Sequence, residues 1–129
     1  SRSYMNINGI SAITLTVEDM SAAVLFYTKL GMNVSYGGVD STFTTLRVGQ
    51  DAINLMLGKQ IKSKWWGRVI LRVDCVDSIH RMFKDAGLTP EPPRDAEWGE
   101  RYFHISDPDG NELSFTQVIS SDKNIRYDS

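Results

Sequence analysis

Cysteine is nearly absent from this chain. Cys75 is the single thiol in 129 residues, so no internal disulfide can form, and no cluster of cysteine and histidine has zinc spacing. Long apolar runs are missing as well. None approaches the ~20 residues needed to cross a bilayer, and the N-terminus lacks the apolar core of a secretory leader. The expectation is therefore a soluble, cytoplasmic protein with no membrane partner. Charge of one sign is also scarce: 14 basic and 16 acidic residues leave a net charge of −2 with no run of like charge, so nothing is built to grip nucleic acid. What the chain does have is 41% hydrophobic residues, enough at this length for a core.

The strongest local signal is WGERYFHISDPDGNELSF, from Trp98 to Phe115. Asp107-Pro108-Asp109-Gly110 is a turn sequence, because proline presets φ and glycine accepts a positive one. The segments on either side should pair as a hairpin. Alternation puts Phe103, Ile105, Leu113 and Phe115 on one apolar face, and Tyr102, His104, Glu112, Ser114 and Thr116 on the other.

Upstream, ISAITLTV alternates with Ile13, Leu15 and Val17 on one face and Ala12, Thr14 and Thr16 on the other. Acidic Glu18 and Asp19 then lead into a helix whose Ala23, Phe26, Tyr27 and Leu30 recur at helical spacing until Gly31. Strands are predicted at Met32 to Tyr36, Thr42 to Val48 and Ala52 to Leu57, the last with Asn54 and Met56 opposite its apolar side. The same order recurs: GRVILRVD is a strand, VDSIHRMFKDAG a helix with Ile79, Met82 and Phe83 on its apolar side, then an LTP extension and the hairpin. ITLTVEDM and ILRVDCVD match in local sequence too.

This repeat predicts one α+β domain of two tandem βαβββ modules, forming a curved mixed β-sheet cup with helices on the outer face. Its parts are an N-terminal extension (1–9), a first module (10–58), a connector (59–66), a second module (67–118) and a C-terminal tail (119–129). The polar inner surface of the cup is where a ligand belongs.

TLTVEDMSAAVLFYTKLGM, RVILRVDCVD and WGERYFHISDPDGNELSF, in that order and spacing, resemble the vicinal oxygen chelate superfamily of glyoxalases, bleomycin resistance proteins and dioxygenases. In metal-dependent members, four inward strand positions carry the ligands. The resemblance carries those positions onto Ala12, Asn54, Arg68 and Ser114. Such a set cannot assemble enough imidazole nitrogen or carboxylate oxygen for a divalent cation, and Arg68 adds a fixed positive charge. No metal and no other cofactor is therefore expected.

The candidate ligand-binding residues are Asn54, Met56, Trp65, Trp66, Arg68, Trp98, Tyr102, His104, Glu112 and Ser114. Arg68 offers a planar fork of donors to a ligand, or else pairs with Glu112. His104 titrates near neutral pH and, with Glu112, is the candidate acid/base pair. The tryptophans offer flat surfaces to a planar molecule, or else plug the core or a dimer interface. His80 is read as a surface residue, Cys75 as inert packing, and Asp95-Ala96-Glu97 as an acidic loop or a lip over the cup. Two functions follow. One is a metal-independent protein that sequesters an aromatic or planar small molecule, such as an antibiotic, in the manner of the bleomycin resistance proteins. The other is a lyase or isomerase using His104 and Glu112 as acid/base, either metal-free or with a non-standard metal site. The resemblance implies a homodimer.

Overall fold

The structure, a computed structural model, describes residues 10–59 and 66–119. Expectations placed on residues 1–9, on Trp65 and on the tail beyond 119 lie outside the described residues. The chain divides into two compact units, Ser1–Gln60 and Ile61–Ser129. The first runs β1 (Ile13–Val17), α1 (Met20–Lys29), β2 (Asn33–Tyr36), β3 (Phe43–Val48) and β4 (Asp51–Leu57). The second runs β5 (Arg68–Arg72), α2 (Val76–Asp85), β6 (Arg94–Asp95), β7 (Glu100–Ser106) and β8 (Glu112–Val118).

Each unit holds one four-stranded mixed sheet, ordered β1-β4-β3-β2 in the first and β5-β8-β7-β6 in the second. The pairs β1/β4 and β5/β8 are parallel, and the others are antiparallel. The first two strands of each unit therefore lie at opposite edges, and the helix joining them has to run across one face. This is the α+β plan of two βαβββ modules that the repeat predicts. One face of each sheet is committed to its helix, and the other is left for different use.

Local chemistry explains where the helices begin and end. Asp19, in extended backbone, caps α1 by accepting a hydrogen bond from the Ala22 amide at 3.0 Å. Glu18 and Asp19, which lead into the helix in the sequence, thus sit before and at the cap. After α1, Gly31 takes φ = +104°, which a side chain would strain. The apolar stripe of α1 packs on β4 and β2, with Ala23 and Tyr27 fully buried against a core that includes Leu15, Val17, Leu46 and Leu55.

In the second unit, Phe83 of α2 meets Phe103 and Phe115 edge-on at 5.9 and 5.0 Å, and those two rings stack at 5.4 Å. Val69, Val76, Ile105 and Leu113 complete this core. Four expectations change here. Met82 is 45% exposed, and His80 takes the inward position predicted for it, its ring edge-on to Phe103 at 5.2 Å with Nε2 buried. A one-residue rotation of the helix face accounts for both. The LTP segment forms no strand; the short β6 pairs with β7 instead. Asp95 belongs to β6 and binds the Arg101 guanidinium at 3.0 Å, so it is neither lip nor free loop. Cys75 is exposed, not packed: it occupies the N-cap position of α2, and its sulfur accepts from the Ser78 hydroxyl at 3.2 Å.

The hairpin turn is fixed from within. Gly110 has φ = +87° and donates its amide to the Asp107 carbonyl at 3.0 Å. The buried Asp107 carboxylate accepts from the amides of Asp109 (2.9 Å) and Asn111 (2.7 Å) and from the Asn111 side chain (2.9 Å). Register across β7 and β8 follows, pairing Tyr102 with Thr116, His104 with Ser114 and Ser106 with Glu112.

Candidate functional site

Strand register builds three rows of side chains on the face of the second sheet opposite α2. Directly paired residues share a face. The first row is Arg68, Glu112 and Ser106; the second is Ile70, Ser114 and His104; the third is Arg72, Thr116, Tyr102 and Arg94. Five of the sequence candidates, Arg68, Tyr102, His104, Glu112 and Ser114, thus lie on one surface because β5, β8 and β7 are neighbours.

Arg68 reaches Glu112 with both Nε (3.2 Å) and Nη2 (3.1 Å), each donating to Oε1. The internal pair that the sequence left open is therefore made. The other carboxylate oxygen, Oε2, lies 4.0 Å from His104 Nδ1, which is buried and has no hydrogen-bond partner among the described residues. Burial lowers the His104 pKa from its ordinary 6.5, opposed by the Glu112 charge and reinforced by Arg68. The imidazole is therefore neutral at pH 7, with an unprotonated nitrogen able to take a proton.

Aromatic rings continue the surface along β7. Tyr102 is tilted against His104 at 5.2 Å, and Trp98 lies nearly parallel to Tyr102, with an interplanar angle of 18° and centroids 6.4 Å apart. The Trp98 indole N–H donates to Glu100 Oε1 at 3.0 Å, which holds the ring in place. Arg94 reaches over Tyr102, its guanidinium carbon 5.2 Å from the ring centroid. Ser114 and Thr116 are buried despite their polarity.

Trp66 is exposed on one side and donates to Asn111 Oδ1 at 3.3 Å, which ties it to the hairpin turn and not to the rows. The first unit carries its own group. Thr45 donates to Asn54 Oδ1 at 2.8 Å, and Asn54 Nδ2 donates to Thr14 at 3.3 Å, a hydrogen-bonded line across β3, β4 and β1. Met56 follows on the same face, 45% exposed beside Phe43 and Thr16. Ala12 lies just before β1. A shallow depression of about 580 Å³ between β2 and β3 is lined by Tyr36, Gly37, Asp40, Ser41, Thr42 and Phe43.

In the first unit Ala12 and Asn54 bring no imidazole or carboxylate; in the second, Ser114 brings none and Arg68 is a cation; and the described residues contain no group of three or more His, Cys, Asp or Glu placed to hold an ion. Sequence reasoning passed over Arg72, Thr116 and Arg94 as site residues. The alternation of RVILR and ELSFT placed the first two on the right face and could have promoted them. Arg94 gave no signal, since a two-residue strand shows no periodicity.

Among the described residues no helix is long and apolar enough to cross a membrane. No curated protein sequence matches the chain significantly. Solved structures do. A bleomycin resistance determinant encoded on the transposon Tn5 superposes with a TM-score of 0.74 at 21% identity, over 86% of this chain and 98% of that one. A bleomycin-binding protein complexed with bleomycin gives 0.72 at 22% identity, over 86% and 98%. A fosfomycin resistance protein from Mesorhizobium loti gives 0.72 at 19% identity, over 87% and 93%. The model of the Glyoxalase/Bleomycin resistance protein/Dioxygenase superfamily matches residues 9–115, and with the two βαβββ modules this places the chain in that superfamily.

Proposed function

We propose that this member of the superfamily is a metal-independent binding protein that holds an aromatic, planar small molecule against the polar face of its second sheet. The observation that carries the reading is the Trp98–Tyr102 pair. The two near-parallel rings, with centroids 6.4 Å apart, extend the polar face with a flat aromatic surface on which a planar molecule can stack. His104, Ser114 and Glu112 supply polar contacts beneath, and Ile70, 62% exposed, supplies apolar surface. A structural neighbour that is a bleomycin-binding protein complexed with bleomycin supports the class of function, not the ligand. Trp66 stays in the reading as a contributor, and Asn54 and Met56 stay as candidate ligand contacts on the first unit's own polar face. So do a homodimer, tested by sedimentation, and a cytoplasmic location.

The test is quenching of intrinsic tryptophan fluorescence by a panel of planar aromatic antibiotics and metabolites, repeated on Trp98→Ala. Saturable quenching that Trp98→Ala weakens by about tenfold or more is expected, the scale of a lost stacking partner. Absence of saturable quenching across the panel would sink the reading.

One observation favours a second reading, an isomerase or lyase: the Nδ1 of a neutral imidazole faces a carboxylate oxygen at 4.0 Å without a hydrogen bond of its own. A proton acceptor of that kind suits abstraction from a carbon acid. His104→Ala abolishing turnover while leaving ligand affinity unchanged is the result that would move this reading to first place.

A further inference from the structure

The turn joining β2 to β3 is stapled into one shape. Gly37 has φ = +76°, and a Cβ there would collide with the Phe43 carbonyl oxygen, so the chain passes itself closely at this point. The buried Thr44 hydroxyl accepts from the Gly38 amide and donates to the Gly38 carbonyl, both at 3.1 Å. The Ser41 amide donates to that same carbonyl at 3.1 Å, and the Thr42 carbonyl accepts from the Leu57 amide of β4 at 2.9 Å. These bonds hold the walls of the depression of about 580 Å³ that Tyr36, Gly37, Asp40, Ser41, Thr42 and Phe43 line. Its volume is in the range of small-molecule sites.

The chemistry of the lining is one-sided. Tyr36 is 66% exposed and meets no other ring among the described residues. It pairs with Thr45, and Phe43, two residues from Thr45 along β3, shares that face. Asp40 is exposed, and its carboxylate makes no hydrogen bond or ion pair with another described residue. Among the six lining residues it is the one charged group. Such a wall repels anions. A single carboxylate with no imidazole beside it is also too small a donor set for a divalent metal ion. An organic cation answers both features, because it is attracted to a carboxylate and to the negative faces of aromatic rings. Both Tyr36 and Asp40 are open to solvent, so a ligand reaches them without any rearrangement.

We propose that this depression is a second small-molecule site that takes an organic ammonium ion, with Asp40 supplying the opposite charge, Tyr36 and Phe43 the aromatic contact, and the Ser41 and Thr42 hydroxyls acceptors for its N–H groups. The site belongs wholly to the first unit and does not depend on the planar-ligand reading.

Titration of isotope-labelled protein with phenethylammonium and with phenethyl alcohol, its neutral counterpart, followed through backbone amide chemical shifts, tests this. Saturable shifts at Gly37, Gly38, Asp40 and Ser41 are expected, with the ammonium bound about threefold or more tightly than the alcohol and the preference shrinking as salt rises. Asp40→Asn should bring the two affinities together, and Tyr36→Leu should weaken the ammonium by about two- to fivefold. Both side chains are exposed, so amide shifts away from this turn should stay as in wild type and show that the variants fold. Equal affinity for ammonium and alcohol, shifts confined to other segments, or a preference that survives in Asp40→Asn would overturn the site and leave the planar-ligand reading untouched.

Discussion

At the scale of single residues, two buried groups pull in opposite directions: one gathers donors, the other resists a proton. The Asp107 carboxylate satisfies three donors, two of them amides of its own turn, so Asp107→Ala leaves those donors unmet in a buried place. A loss of about 3 kcal/mol is expected from urea unfolding, the scale of broken bonds to a charged acceptor. His104 works the other way. Its folded pKa is below the ordinary 6.5, so between those two values the unfolded chain binds a proton that the folded chain refuses. Its neutral form stabilises the fold fully above the unfolded pKa, and that contribution is lost as pH falls towards the folded one. Urea midpoints at about pH 5.5 and about pH 7.5 should therefore differ more in wild type than in His104→Asn. Equal differences would contradict the assignment. Asp107 was legible in sequence as part of a turn, but its role as an acceptor hub was not, because hydrogen-bond geometry leaves no trace in residue order. The face of His104 was legible from alternation alone.

At the scale of elements, the two helices are alike in length and position but differ at their starts. Asp19 caps α1 with its side chain, whereas Cys75 at the same position of α2 makes no side-chain cap. Asp19→Ala should cost about 1 kcal/mol, and Cys75→Ser should stabilise by up to about 1 kcal/mol; thermal midpoints of the two variants should move in opposite directions. Strands with clear alternation, β1, β4, β5, β7 and β8, could be read from the sequence, although β1 begins three residues into the ISAITLTV run and β5 ends two residues before the end of GRVILRVD. The α2 face was misread because the pattern was judged by hydropathy. Ile79 and Phe83 sit on a stripe that passes through His80 as readily as through Met82, and a histidine was assumed to face water. Packing decided otherwise, with the imidazole edge-on to Phe103. The short β6 escaped because its pairing with β7, not its own sequence, makes it a strand.

At the scale of the whole molecule, the sequence repeat was the most informative feature, since a strand and helix order that occurs twice specifies two units of the same βαβββ plan. On the metal-independent reading proposed above, zinc, manganese or a chelator should shift the melting temperature by less than about 1 °C, because only a ligand bound to the native state raises it. A metal-dependent shift of several degrees would show that an unrecognised site exists. What sequence could not reveal was which cations are already spent, as Arg68 is on Glu112, and which are not, as with Arg72; that depends on register across strands far apart in the chain. The same register bears on how the protein is made. In each unit the first strand pairs with the last, Thr14 with Asn54 across 40 positions and Arg68 with Glu112 across 44. During synthesis, β1 and β5 must each wait beside an empty edge until the final strand of their unit leaves the ribosome, and loop closure over such spans is slow. The first sheet has all four of its strands before β5 exists, so the nascent chain can close one sheet at a time, and a pause within either span leaves a parallel edge strand open to a wrong partner.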